Sequence, residues 1–136
     1  MLAERLGRTE EALAALDRAV ALYPDAALYR SSRGVLAARL GRRAQAHADA
    51  EDALLRDAGP PRLYQAGCVY ALTSLKAPED RTRALYLLSS ALRQGYGLDL
   101  VDTDHDLDPL RDLPEFQRLM VAVRAAGPAG PAANGP

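Results

Sequence analysis

The residues best suited to chemistry lie in one short stretch of the chain. In VDTDHDLDPLRDLPEFQRLM, residues 101–120, aspartates occupy positions 102, 104, 106 and 108, and one of the chain's two histidines, His105, lies among them. Clustered carboxylates can bind calcium, and two neighbouring carboxylates can act as general acid and base. The stretch could therefore be a metal site, an acid–base cluster or the closing segment of a structural unit.

The spacing does not fit a metal site. After its D-x-D-x-D opening, an EF-hand loop needs Gly at the sixth position and Glu at the twelfth. Leu107 and Leu113 occupy those positions here. Zinc is also disfavoured, because His105 has no Cys or His neighbour and His47 stands alone on a predicted helix. The sequence predicts no metal and no cofactor.

A structural interpretation explains more of the same stretch. Asp108 directly precedes Pro109, and Asp112 lies two residues before Pro114. Both patterns favour the start of a helix. A helix is then predicted from Pro114, with inward residues at i, i+3, i+4 and i+7: Phe116, Leu119, Met120 and Val123. Leu107, Leu110 and Leu113 are expected to pack inward. The aspartates are interpreted as caps and solvated turn residues, although Asp106 and Asp108 could also be read as an acid–base pair.

No other catalytic group is convincing. Cys68 is flanked by Gly67 and Val69 on a predicted helix, far in sequence from either histidine, which favours a small packed side chain over a nucleophile. The chain has no glycine-rich phosphate loop, no H-R-D and no D-F-G. We therefore predict a protein that is not an enzyme.

Composition limits the classes of partner. The 136 residues carry a net charge of −1, which gives no general attraction to nucleic acid or to a membrane surface. Residues 1–93 hold 14 Lys and Arg against 11 Asp and Glu, whereas residues 94–136 hold 3 against 7. A single cysteine, no long apolar run and no signal-peptide pattern lead us to expect a cytoplasmic location.

The chain contains an internal repeat. RLGR occurs at residues 5–8 and again at 39–42, a spacing of 34 residues, and a looser third copy follows. Small residues recur at matched places: Gly34 with Gly67, then Ala12 with Ala46 and Ala84, then Ala19 with Ala53 and Ala91. In residues 9–24 the apolar positions follow helical spacing, with Thr9 as a predicted N-cap and Pro24 ending the helix. Each repeat is thus predicted to be a helical hairpin whose small residues let two helices approach closely.

These positions resemble the tetratricopeptide repeat family, with its 34-residue signature. The resemblance adds Tyr70 in the first helix of a repeat and turn glycines at Gly7 and Gly41; no tryptophan is present, and Arg30 stands where the family has an aromatic. The stretches ALRQGY (91–96), DHDLDPLR (104–111) and PEFQRL (114–119) further resemble the closing segment of such regions at the C-terminus of planctomycete-type bacterial serine/threonine protein kinases. The resemblance implies a C-terminal cap with an acidic outer face.

The expected fold is all-α, a right-handed solenoid of helical hairpins similar to tetratricopeptide repeats. One domain, 1–124, comprises a truncated repeat (1–25), a repeat (26–59), a repeat with about five inserted residues (60–95) and a cap (96–124), followed by a disordered tail at 125–136. Only residues 1–6 remain for the first helix, so Leu13, Leu16 and Val20 are expected to lack cover. Either self-association or a missing upstream domain would account for that defect.

A partner-binding groove is predicted on the first helices of the hairpins. Stripes at i, i+4 and i+8 give its candidate residues: Ser31, Val35, Arg39, Tyr64, Cys68 and Leu72. The favoured function is a non-catalytic scaffold module that binds a protein or peptide there, and the alternative is a regulatory region of a bacterial kinase without the kinase domain. These side chains could also serve only intramolecular packing.

Overall fold

The computed structural model describes residues 2–127, and these residues form helices without any strand. The helices are α1 (Leu2–Leu22), α2 (Ala27–Arg39), α3 (Arg43–Arg56), α4 (Pro60–Thr73), α5 (Asp80–Arg93), a 3₁₀ helix (His105–Leu110) and α6 (Pro114–Ala126). The predicted all-α class is confirmed. None of the helices in this range combines the length and the apolar character needed to cross a lipid bilayer.

Two helical hairpins form the centre of the fold. Helix α2 packs along α3, α4 packs along α5, and α4 also contacts both α2 and α3. The α2–α3 turn is made at Gly41, whose positive φ of 77° is strained for other residues. The amide of Arg42 bonds to the carbonyl oxygen of Ala37 at 2.9 Å and closes the end of α2. The turn predicted at Gly41 is therefore confirmed.

Glycine and alanine bring the helices of each hairpin close together. A Cβ added at Gly34 would lie 3.2 Å from both Ala46 O and Asp49 Cβ, and one added at Gly67 would lie 2.7 Å from Leu88 Cγ. The alanines expected to be wedged between helices are fully buried in the second and third copies, at positions 46, 53, 84 and 91. The prediction that small residues govern helix approach is confirmed for α2–α3 and α4–α5.

The first copy of the repeat departs from that prediction. Helix α1 runs without interruption from Leu2 to Leu22, so Gly7 lies inside a helix and makes no turn. Thr9 is also helical, and its hydroxyl donates to Arg5 O at 2.9 Å instead of capping. Ala12 is exposed, contrary to expectation. The short first helix of the sequence prediction was wrong, because residues 2–8 continue the helix that follows them.

The expected loss of cover on α1 is also wrong in its details. Leu13 and Val20 are buried, and Leu16 is partly buried. The main neighbour of α1 is α2. The large apolar residues that α1 and the following turn expose are instead Leu6, Leu22 and Tyr23.

The closing segment packs the three predicted leucines inward, Leu107 and Leu110 completely and Leu113 partly. Val101, Leu107 and Leu110 are fully buried, and the 3₁₀ helix lies against α4. Helix α6 starts at Pro114 as expected and packs on α5. It continues to Ala126, two residues into the segment predicted to be a disordered tail. The remainder of that segment, 128–136, lies outside the described residues.

The sequence predicted Asp108 and Asp112 as helix caps, and both predictions were wrong. Asp104 caps the 3₁₀ helix, because its carboxylate accepts the amide of Asp106 at 3.0 Å. Asp108 does not cap; its carboxylate accepts from Arg111 Nε at 2.7 Å and lies 3.2 Å from His105 Nδ1. Asp112 gives no cap to α6, whose N-cap residue is Leu113 with no side-chain bond.

Candidate functional site

A cavity of about 340 Å³ with convergent polar groups opens between α1, α2 and α4. We call it the α2–α4 groove. Its lining residues are Leu16 from α1; Ser32, Val35, Leu36 and Arg39 from α2; Tyr64, Gln65 and Cys68 from α4; and Asp104 and Asp106 from the closing segment. Apolar side chains thus form one part of its surface, and two carboxylates with one guanidinium form another.

The structure brings four of the six predicted groove residues to this cavity: Val35, Arg39, Tyr64 and Cys68. Ser31 does not reach it and is buried in the core. Leu72 lines a different cavity of about 260 Å³, next to Gly41, Leu75 and Lys76. The first residue of the predicted α2 stripe and the last residue of the predicted α4 stripe therefore lie outside this cavity.

The closing segment supplies the part of the groove that the sequence did not predict. Arg39 donates two hydrogen bonds to Asp106, from Nε to Oδ1 at 2.9 Å and from Nη2 to Oδ2 at 2.8 Å. The hydroxyl of Tyr64 donates to Asp104 Oδ2 at 2.9 Å, and the thiol of Cys68 lies 3.7 Å from the same oxygen. Two of the aspartates interpreted as solvated turn residues are therefore partly buried in the groove.

Backbone shape holds Tyr64 in place. Its ring meets Tyr96 edge-on, with 5.7 Å between the ring centroids. A Cβ at Gly97 would come within 2.7 Å of the Tyr64 ring, and Gly97 also has a φ of +100°. Glycine is needed here both for space and for conformation. The ring is consequently fixed so that its hydroxyl reaches Asp104.

The electrostatics of the groove disfavour a further negative charge. Burial, followed by the charges of Asp104 and Asp106, raises the pKa of the Cys68 thiol well above its ordinary value. Burial also raises the pKa of Tyr64, and Cys68 and Asp104 add to the effect. Both groups are neutral at physiological pH. Cys68 is thus a poor nucleophile, because the thiolate is the reactive form.

A metal ion fits this donor set poorly. The ligand atoms of Cys68, Asp104 and Asp106 lie within 4.8 Å of one another. However, Arg39 already occupies both oxygens of Asp106, and the raised pKa keeps the Cys68 sulfur protonated. Metal binding would require both to be released.

A second polar cluster joins α3, α4 and α5. Asp80 is almost fully buried and accepts from Arg43 at 2.9 and 2.8 Å and from the Thr73 hydroxyl at 2.7 Å. His47 Nε2 lies 3.0 Å from the same hydroxyl, and its ring stacks on Tyr70 at 4.2 Å. The hydrogen bonds of Arg43 lower the pKa of Asp80, and burial lowers the pKa of His47.

This cluster contains threonine, histidine and aspartate, yet its geometry is not that of an activated nucleophile. The Thr73 hydroxyl donates directly to Asp80, so His47 is not positioned between them to accept its proton. Thr73 is also buried. The sequence interpretation missed this set because its members come from three different helices, and His47 was considered alone.

Comparison with known proteins adds no relative. No protein-family model, no curated protein and no solved structure matches the chain. The functional argument therefore depends on the groove itself.

Proposed function

We propose that this chain is a non-catalytic interaction module that binds an extended or helical peptide segment in the α2–α4 groove. The segment belongs to a separate protein or to a neighbouring domain. In this proposal α2–α3 and α4–α5 are successive hairpins of a right-handed solenoid of the tetratricopeptide type, and the 3₁₀ helix with α6 forms its cap. The close approaches at Gly34 and Gly67, at equivalent places in the two hairpins, support that assignment.

The observation that carries the proposal is the open cavity on the face shared by α2 and α4. Its apolar lining includes side chains that remain partly exposed, Leu16 and Leu36. Binding sites are typically concave, with apolar walls and a few fixed polar groups. The groove has that composition, and its polar groups are held by the contacts of Arg39 and Tyr64.

The polar groups of the groove favour binding over reaction. The thiol of Cys68 is neutral, and Asp106 is held in an ion pair. A nucleophile needs an adjacent general base or a lowered pKa, and a general base must be free to accept a proton. We therefore assign the groove to recognition.

A filled-groove variant tests the proposal. Ser32→Trp places an indole in the groove, and Thr82→Trp places the same ring on an exposed position of α5 as the matched control. A random peptide library displayed on phage is selected against the wild-type chain. Binding of the enriched peptides to the three proteins is then measured by fluorescence anisotropy.

We expect enriched peptides to bind the wild type and Thr82→Trp equally and to bind Ser32→Trp at least about tenfold more weakly, because the indole removes the space they occupy. Circular dichroism confirms that both variants are folded. Failure to enrich any peptide, or equal binding to Ser32→Trp, would overturn the proposal.

A further inference from the structure

The groove contains a carboxylate without a cationic partner. Asp104 is partly buried, and its carboxylate accepts from three neutral donors: the Tyr64 hydroxyl, the Cys68 thiol and the Asp106 amide. Arg39 lies near, but it donates both of its bonds to Asp106. Arg111 donates to the backbone carbonyl of Asp104 at 2.7 Å. Among residues 2–127, Asp104 thus forms no ion pair of its own.

An uncompensated charge in such a place costs free energy. A carboxylate removed from water is stabilised most by a cation that also donates hydrogen bonds. Neutral donors satisfy some lone pairs of Asp104 and leave its charge in place. A cationic group entering the groove would complete this environment.

A side-chain acceptor next to Asp104 lacks a hydrogen-bond donor. The side-chain oxygen of Gln65 is buried and has no hydrogen-bond partner in the described structure. Buried polar groups are nearly always hydrogen-bonded, so a missing partner needs an explanation. Gln65 and Asp104 line the same cavity. Because this oxygen is shielded from solvent, a donor on a ligand would reach it only after the Gln65 side chain turns toward the cavity.

The surroundings have the same sign of charge. Residues 99–112 contain six aspartates and one arginine, and two arginines from elsewhere, Arg39 and Arg124, pair with this segment. Six carboxylates therefore face three guanidinium groups. The resulting negative potential attracts basic ligands and repels acidic ones.

The opposite wall is suited to an aliphatic stem. Leu16, Val35 and Leu36 line the cavity across α1 and α2. Lysine and arginine place apolar methylene groups against such surfaces while their charged ends reach polar groups. The cavity volume of about 340 Å³ is sufficient for one such side chain.

We infer that the groove selects a partner through a lysine or arginine side chain, whose charged end pairs with Asp104 and whose stem lies along Leu16, Val35 and Leu36. This inference rests on the proposed peptide-binding function and specifies the residue that anchors the peptide. Arg39 acts on Asp104 only through its charge at longer range, because its two hydrogen bonds go to Asp106.

The test removes the charge on the protein and the charge on the peptide in separate experiments. On the protein, Asp104→Asn removes the charge. Its one side-chain oxygen still accepts from the Asp106 amide, and its NH2 group donates to the Tyr64 hydroxyl oxygen in place of the original bond. Asp112→Asn, at an exposed position of the same segment outside the groove lining, is the matched control. On the peptide, the basic residue of a groove-binding sequence from the phage selection is replaced by norleucine for lysine or by citrulline for arginine.

We expect the neutral peptide analogue to bind wild type at least about tenfold more weakly, as for a desolvated charge pair that loses one partner. Asp104→Asn should weaken the basic peptide similarly and no longer distinguish it from the analogue, whereas Asp112→Asn should behave as wild type. Because the basic peptide and its neutral analogue are both measured on Asp104→Asn, the ratio of their affinities does not depend on any change in the folding of this variant. If Asp104→Asn does not fold, the analogue measured on wild type still decides.

Two results separate this inference from the function it rests on. Groove-binding peptides that lack a basic residue, or that bind equally as neutral analogues, would overturn the basic anchor and leave peptide binding intact. Absence of any peptide that Ser32→Trp excludes would overturn both. Preference for acidic peptides would also refute the inference, because it would place the ligand on Arg39.

Discussion

Replacing Gly67 by alanine is the most direct test of close helix approach. The new Cβ would lie 2.7 Å from Leu88 Cγ and 2.9 Å from Leu88 Cδ2. Leu88 is fully buried and cannot move aside without displacing its neighbours. An overpacked core position typically costs about 1–3 kcal/mol. Alanine regains up to about 1 kcal/mol through its higher helix propensity. A contact as short as 2.7 Å places the cost in the upper part of that range, about 2–3 kcal/mol, so the expected net loss in the free energy of unfolding is about 1–2 kcal/mol.

The chain offers a matched control in Gly7→Ala. Gly7 also lies inside a helix, but a Cβ there would meet no atom within 4 Å. Only the propensity gain remains, so this variant should be more stable by about 0.5–1 kcal/mol. Urea unfolding followed by circular dichroism measures both changes, and equal m-values would show that the unfolding reaction is unaltered. The packing argument is refuted if Gly67→Ala is as stable as wild type, or if Gly7→Ala loses as much.

Three further predictions concern individual side chains. Arg33→Ala leaves the buried carboxylate of Asp49 without its two 2.8 Å hydrogen bonds and should lower the free energy of unfolding in urea by about 3 kcal/mol. Arg42→Ala breaks a half-exposed pair with Glu10 and should lower it by less than about 1 kcal/mol. Similar losses in the two variants would contradict this prediction. Burial lowers the pKa of His47 below 6.5, so the unfolded chain binds more protons than the folded chain near pH 6. The free energy of unfolding should therefore fall as the pH drops through that range, and His47→Gln should flatten its dependence on pH. An unchanged pH dependence in His47→Gln would exclude His47 as the cause. Cys68, 3% exposed and with a raised pKa, should react with a disulfide reagent much more slowly in the folded chain than in urea, and equal rates in the two states would show that its burial is incorrect.

Local pattern was sufficient for most of the fold. Helices α2 to α6 were predictable from the helical spacing, the turn residues and the matched alanines. The pattern holds there because neighbouring helices pack against each hairpin and bury its apolar face. The identical RLGR motif gave a turn at Gly41 and none at Gly7. At Gly41 the helices on both sides pack against each other and hold the positive φ. Residues 4–8 are instead exposed, so continued helical hydrogen bonding prevails over a turn at Gly7.

The groove was predictable only in its middle. Steps of four residues turn a helix by about 400°, so a stripe drifts by about 40° at each step. This rotation separates Ser31, which enters the core, and Leu72, which reaches another cavity, from the central residues. The pairing of Arg39 with Asp106 spans 67 residues and leaves no periodic trace in the sequence. For the same reason the acids could be recognised as a closing segment but not as part of the groove.

That long-range pairing makes the groove a late product of the chain. Four of its central side chains belong to α2 and α4, yet its acidic floor is contributed by residues translated after both hairpins. A shortened chain ending at Arg93 would lose this floor together with the buried side chains of Leu107 and Leu110, whose 3₁₀ helix lies against α4. In the proposed binding mode, selectivity among ligands would thus depend on this floor as well as on the two hairpins.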